Sequence, residues 1–89
     1  MLLKLFNPST LLEYPLIMNT KDIMDYLNCS NTQVRKYATE KNFNSLDLGI
    51  DRILIYRDDF AKFVNDKIQG YDFYEQYKNT LNKETTHYA

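Results

Sequence analysis

Cysteine, glycine, proline and histidine are scarce in this sequence. One cysteine in 89 residues cannot form an internal disulfide, which excludes a disulfide-stapled secreted scaffold and fits a reducing cytoplasm. Two glycines and two prolines are too few for a linker-like or disordered chain. The single histidine, His87, is accompanied by no metal-ligand spacing and no glycine-rich phosphate loop. We therefore expect a protein that is not an enzyme and uses no cofactor.

Long apolar runs and an excess of basic residues are also missing. The apolar run that begins at Met1 stops at Asn7, far short of a signal-peptide core or a membrane span. We expect a cytoplasmic protein without membrane association. The net charge of −1 is unfavourable for nucleic-acid binding, because neutralised phosphates supply much of the affinity. Basic residues do outnumber acidic ones, six to five, within residues 18–57, whereas residues 58–89 hold four against six.

The sequence does contain the material for one compact domain. Apolar residues make up 44% of the chain, with eight tyrosines and five phenylalanines. A domain of this size buries only about 60% of the surface of its unfolded chain, so it needs a complete core. Residues 1–17 suit a short helix followed by an extended segment that ends near Pro15. We expect them to form an N-terminal extension packed on that core.

Two capped helices follow in close succession. Asn19 precedes an acid by three residues, the spacing of a capping box, and apolar residues then recur at helical spacing. Asn28 is a suitable left-handed stop, because asparagine tolerates positive φ. Ser30 caps a second helix that runs to about Lys41. Since only Asn28 and Cys29 separate the two helices, the pattern predicts a helix-turn-helix unit.

Beyond the second helix the apolar period changes. Residues 43–48 and 53–56 predict two strands of a β-hairpin, joined by a turn that includes Gly49 and Arg52. Asp58 is the expected cap of a third helix.

The rest of the chain is helical in pattern. The third helix is expected to end at Gly70, and residues 71–82 predict a fourth, amphipathic helix. The predicted fold class is α+β and mostly helical. It divides into an extension over residues 1–17, a central domain over residues 18–69, and a tyrosine-rich helix and tail over residues 70–89.

The order helix, tight turn, helix, hairpin, helix is that of a winged helix-turn-helix. The stretch MNTKDIMDYLNCS, residues 18–30, resembles the opening of excisionase-like and MerR-type DNA-binding domains. The likeness continues through Arg35 to Tyr37, and through residues 57–60, and covers residues 17–68 in all. Asn28 and Tyr56 depart from the usual glycine and proline. The resemblance implies a winged helix-turn-helix fold, double-stranded DNA as partner and, for an excisionase, cooperation with an integrase.

In a helix-turn-helix, the N-terminal part of the second helix enters the major groove, and a hairpin arginine can reach the minor groove or a phosphate. The residues expected to bind DNA are the polar and basic ones of that helix and of the hairpin region: Ser30, Asn31, Thr32, Gln33, Arg35, Lys36, Tyr37, Lys41, Arg52 and Arg57. Most of them have alternatives. Ser30 also fits a helix cap, Gln33 a capping box, and Tyr37 the core. Arg57 also fits an ion pair with a neighbouring aspartate. The charged side chains of the second helix also fit an ordinary solvated face: Arg35, Lys36 and Lys41. Cys29 fits a small apolar residue of the turn.

The C-terminal aromatic residues have two interpretations. Tyr71, Tyr74, Tyr77 and Leu81 either close the core of the monomer or form a stripe for self-association, because tyrosine is enriched at interfaces. A homodimer would place two second helices on successive half-sites of DNA.

The first functional interpretation is a sequence-specific DNA-binding protein that acts without catalysis. It would be an excisionase-like architectural factor or a small transcriptional regulator of a phage or mobile element. Two alternatives stay open. One is a small terminase-like DNA-recognition subunit, and the other is a winged-helix protein that binds another protein, as a phage-encoded inhibitor or adaptor would.

Overall fold

The computed structural model describes residues 7–49, 52–70 and 72–86. In chain order its elements are α1 (Pro8–Leu11), β1 (Ile17–Asn19), α2 (Thr20–Leu27), α3 (Asn31–Ala38), β2 (Ser45–Asp47), β3 (Ile53–Tyr56), α4 (Arg57–Phe63), a π-helical segment (Val64–Gln69) and α5 (Phe73–Thr86). The three strands form one antiparallel sheet. The predicted α+β, mostly helical class is confirmed.

Helix α2 has the ends that the sequence predicts. The side chain of Asn19 accepts a hydrogen bond from the N–H of Asp22 at 2.9 Å, and the carboxylate of Asp22 accepts one from the N–H of Asn19 at 3.1 Å. This capping box satisfies two N–H groups that have no partner inside the helix. Asn28 ends the helix in the left-handed region, at φ 55° and ψ 53°. Both predictions are confirmed.

The sheet contains one strand more than the predicted hairpin. Strands β2 and β3 pair as expected, with Leu46 opposite Leu54. Strand β1 pairs with the other side of β3, with Met18 opposite Ile55, so the strand order is β1-β3-β2. The sequence pattern predicts only that Met18 is an apolar residue preceding the helix cap. A three-residue strand is too short for an alternating pattern to be recognised.

The core lies between the inner face of the sheet and the helices. The sheet contributes Met18, Ile53 and Ile55, and the helices contribute fully buried residues such as Val34 of α3 and Leu11 of α1. The core thus includes part of the N-terminal segment, beginning with α1. Aromatic rings meet edge to face within it: the rings of Phe43 and Phe63 lie 4.8 Å apart, those of Phe43 and Phe60 6.4 Å, and those of Tyr26 and Phe60 5.8 Å. This is the geometry that the quadrupole of an aromatic ring favours.

The start of α4 differs from the prediction. Helix α4 begins at Arg57, directly after β3, and the residue before it makes no side-chain capping bond. Asp58 is therefore not the cap. The N–H of Arg57 donates to the carbonyl of Leu16 at 2.7 Å, so strand pairing continues up to the first helical residue. The π-helical segment prolongs α4, and the chain leaves it at Gly70 with φ 89°, which confirms the predicted end.

Arg57 holds the N-terminal segment, α4 and α5 together. Its side chain is only 8% exposed. The guanidinium donates to the carbonyl of Tyr14 at 2.6 Å and to that of Leu12 at 3.4 Å, and its Nε donates to the hydroxyl of Tyr77 at 3.1 Å. The Tyr77 hydroxyl in turn donates to the carboxylate of Asp58. The predicted contact of Arg57 with DNA is wrong, because the side chain is turned into the protein.

Candidate nucleic-acid interface

Helix α3 is fixed at its N-terminus and on one side. Ser30 has extended backbone angles, φ −85° and ψ 164°, and its Oγ accepts a hydrogen bond from the N–H of Gln33 at 3.2 Å. This confirms the predicted cap. Val34 is fully buried and anchors the helix in the core. The orientation of α3 is thereby set by one cap and one apolar contact surface.

The opposite side of α3 carries the residues predicted to bind DNA. Ser30, Thr32, Arg35 and Lys36 are exposed, whereas Asn31 and Gln33 are half-buried. Hydroxyl, amide and guanidinium groups of this kind bind base edges and phosphates. The predicted set on this helix therefore lies together, with its four exposed members along the solvent side.

Tyr37 belongs to the packed side of the helix. Its ring is half-buried and lies 5.1 Å from the ring of Phe63, at an angle of 69°. This contact agrees with the alternative that assigned Tyr37 to the core. The DNA contact implied by the resemblance stays a prediction for its hydroxyl group.

The charge near the end of α3 is more positive than the sequence suggests. Glu40 is the only acidic residue between positions 30 and 41 of the sequence. Its Oε1 lies 3.4 Å from Nζ of Lys67, and both side chains are more than two-fifths exposed. Such an exposed pair contributes little to stability. It does place a lysine of the π-helical segment beside the one acid, and Lys41 is exposed nearby in the chain. Lys67 was missed because it is distant in sequence.

A second basic group lies at the hairpin. Arg52 is exposed, and the N–H of Leu48 donates to its carbonyl at 2.8 Å. Arg52 lines a shallow hollow together with Lys21, Asn19, Leu48 and Leu54. Lys21 is exposed in the first turn of α2 and was not among the predicted residues. Lys21 is distant from Arg52 in sequence, so no local pattern indicates that the two are neighbours. The pairing of β1 with β3 brings them together.

Cys29 lies in the turn between α2 and α3. Its side chain is half-buried and packs against the core. Burial raises the pKa of the Cys29 thiol above its ordinary value. The thiolate, which is the reactive form, is therefore disfavoured at neutral pH. The prediction that Cys29 acts as a small apolar residue agrees with this placement.

The C-terminal aromatic residues pack on the core of the monomer. Tyr77 is fully buried, and Tyr74 and Leu81 are half-buried against the core. Tyr71 lies outside the described residues. The stripe for self-association is wrong for Tyr77, because this side chain is covered by the chain itself. The alternative, closure of the monomer core, describes α5 better.

Three further observations bear on function. In residues 7–49, 52–70 and 72–86, no group of three or more histidine, cysteine or acidic residues is placed to hold a metal ion. Within the same ranges, none of the helices has the length and apolar character needed to cross a bilayer. Comparisons with protein-family models, with curated proteins and with solved structures give no match.

Proposed function

We propose that the chain is a sequence-specific double-stranded DNA-binding protein of the winged helix-turn-helix type, and that it acts without catalysis. The observation that carries the proposal is the arrangement of α3. The helix follows a left-handed turn at Asn28, is capped by Ser30, and buries Val34 while its polar side faces solvent. A second helix held in this way can lie in the major groove with its N-terminal residues at the base edges.

The assignment of roles follows from side-chain chemistry. Arg35 can bind guanine with two hydrogen bonds or hold a phosphate, and Gln33 can bind adenine with two. Ser30 and Thr32, at the helix N-terminus, suit phosphate contacts, because N–H groups and the helix dipole favour an anion there. Lys36 is exposed, and we assign it to the phosphate backbone.

The hairpin is the wing in this proposal. Helices α2 and α3 are followed by β2 and β3, and β1 completes the sheet. Arg52 and Lys21, which line one hollow, are assigned to a phosphate or to the minor groove beside it.

The net charge of −1 does not prevent such binding, because local charge determines the contact. Five exposed cations belong to the proposed surface: Lys21, Arg35, Lys36, Lys41 and Arg52. If each neutralises one phosphate, log K falls with log salt at a slope of about −4.5. Affinity then falls about 500-fold between roughly 50 and 200 mM salt.

The test begins with selection of a DNA duplex from a random library. The protein is then titrated onto the selected duplex, and binding is measured by fluorescence anisotropy across that salt range. Lys36→Ala should weaken binding and reduce the magnitude of the slope by about 0.9, the value for one phosphate contact. Lys83→Ala removes an exposed lysine of α5 and should leave the slope unchanged. A chain that selects no duplex, or an equal effect of both substitutions, would contradict the proposal and favour the protein-binding alternative.

The same duplex distinguishes the two roles that the proposal includes. An architectural, excisionase-like factor must bend DNA, and bending by tens of degrees is measurable as a change in end-to-end energy transfer. A simple regulator need only occupy its site. We expect a DNA bend for the first role and an unchanged end-to-end distance for the second.

A further inference from the structure

The outer face of the sheet, the side turned away from the core, is mostly apolar. Ile17 lies opposite Tyr56, and Leu46 lies opposite Leu54, so these four side chains share that face. Leu48, two residues beyond Leu46 and directly after the end of β2, continues the row. Four of the five are half or more exposed: Ile17 50%, Leu46 59%, Leu48 51% and Tyr56 61%. We refer to these five residues as the sheet face.

The sheet face has the size of the largest apolar patch on a typical monomer. These exposures correspond to roughly 450 Å² of uncovered surface, and the largest patch of a monomer, about 300–600 Å², is often functional. A standard interface takes about 800 Å² from each partner, of which little more than half is apolar. The sheet face together with a polar rim therefore has the size and composition of one half of a stable interface.

The two ends of the sheet face differ in charge. One end is the hollow that Lys21 and Arg52 line together with Leu48. The other end is a groove formed by Ile17, Leu46 and Tyr56, and Asp59 lies on its border. Leu54 lines both hollows, so it marks the middle of the face. Asn19, opposite Leu54, is the polar residue of β1 on this side. The face is otherwise apolar between described cations at one end and a carboxylate at the other.

We propose that the sheet face is the interface of a homodimer in which the strands of the two copies run antiparallel. A two-fold axis near Leu54 then exchanges the ends, so that Lys21 and Arg52 of each copy meet Asp59 of the other. The opposite orientation would set the cations of one copy against those of the other. Charge complementarity therefore selects a second copy, in one orientation, as the occupant.

The proposed dimer leaves α3 accessible. Val34 of α3 and the inner face of the sheet meet in the same core, so the solvent side of α3 and the outer face of the sheet point away from the core in different directions. The aromatic stripe on α5 is not available for the dimer, because Tyr74, Tyr77 and Leu81 pack on the core of the monomer. The dimer proposal consequently does not depend on DNA binding by α3, and each can fail without the other. The dimer does use Lys21 and Arg52, so in it these two cations are not available for the DNA contact assigned to the hairpin.

The experiment is sedimentation equilibrium of the full chain between about 1 and 200 µM, a range that includes the dissociation constants of weak dimers. Leu46→Glu should weaken the dimer at least about tenfold, because it places a charge in the middle of an apolar contact. Leu16→Glu is the matched control. Leu16 is 64% exposed, but it precedes β1 and its carbonyl accepts from Arg57, so alternation places its side chain off the sheet face.

A charge exchange tests the orientation. Asp59→Lys and Lys21→Glu should each weaken self-association, and an equimolar mixture of the two variants should associate more strongly than either alone. Circular dichroism melts establish that both variants are folded. Recovery in the mixture supports the antiparallel dimer. Three results would overturn the dimer proposal: a chain that stays monomeric over the whole concentration range, an equal effect of Leu46→Glu and Leu16→Glu, or a mixture without recovery. A chain that stays monomeric would mean that another segment or another protein covers the sheet face.

Discussion

Replacing Tyr77 by phenylalanine removes one hydroxyl group and leaves the buried ring in place. That hydroxyl accepts a hydrogen bond from Nε of Arg57 at 3.1 Å and donates one to the carboxylate of Asp58. Both partners are charged groups of α4, whereas Tyr77 belongs to α5. The substitution therefore separates the hydrogen bonding of the two helices from their apolar packing.

The cost follows from what remains unpaired. Arg57 is 8% exposed, so its Nε has little access to water after the substitution, although Nη1 keeps its two carbonyl partners. Asp58 is exposed and can be hydrated again. A hydrogen bond to a charged group is worth about 1.5–3 kcal/mol, and a buried donor without a partner costs a similar amount. We expect Tyr77→Phe to lower the free energy of unfolding by about 1.5–3 kcal/mol, which is roughly 6–24 °C in Tm.

Urea denaturation followed by circular dichroism measures this loss. The slope m should not change, because the folded structure and the exposed surface of the unfolded chain are the same. Tyr74→Phe is the control, since Tyr74 is half-buried on the same helix and is expected to change stability by less than about 0.5 kcal/mol. If Tyr77→Phe stays within that range, or equals Tyr74→Phe, the network around Arg57 does not stabilise the fold as argued.

Three further predictions concern the ends of the helices and the tyrosines. Burial, as the main cause, raises the pKa of Tyr14, Tyr26 and Tyr77 from 10.0 to about 12, so the folded chain holds these protons more tightly than the unfolded chain. The contribution of these tyrosines to the free energy of unfolding should be fully present below pH 10 and be lost between about pH 10 and 12. The urea midpoint should therefore be lower at pH 11 than at pH 8, and an equal midpoint would refute this prediction. Asn28→Ala should lower stability by about 1 kcal/mol because of its left-handed backbone, whereas Asn28→Gly should not. Ser30→Ala should cost about 1 kcal/mol through loss of the α3 cap, and a melt identical to that of the original chain would contradict this.

The parts of the fold that could be predicted from the sequence are those that depend on neighbouring residues. The cap at Asn19, the stop at Asn28 and the cap at Ser30 each involve a side chain and an N–H group or backbone angle within three residues. The hairpin is similarly local. For this reason the helix pair and the strands that follow it begin near the predicted positions. Their ends are predicted less well, because α3 ends at Ala38 instead of Lys41 and β2 covers only Ser45–Asp47 of residues 43–48.

The predictions that failed concern contacts between distant segments. Arg57 is adjacent to two aspartates in sequence, yet its partners are carbonyls 43 and 45 residues earlier and a hydroxyl 20 residues later. Strand β1 exists because β3 offers it a free edge, and the proximity of Lys21 to Arg52 results from that pairing. No local pattern contains this information. The positions of the candidate site residues were therefore predicted best on α3 and worst where the sheet and α5 contribute.

The two proposals together give one expectation that neither gives alone. A dimer that keeps both α3 helices accessible can bind two half-sites. Because Lys21 and Arg52 meet Asp59 at its interface, Arg35, Lys36 and Lys41 of each copy remain for phosphates. Six contacts at about 0.9 each would change the salt slope from about −4.5 to about −5.4. That increase would offset the net charge of −1 carried by each copy. Leu46→Glu should then return the slope to the monomer value, although it removes no cation. A slope of about −4.5 in both proteins would mean that the sheet face and the DNA surface act separately.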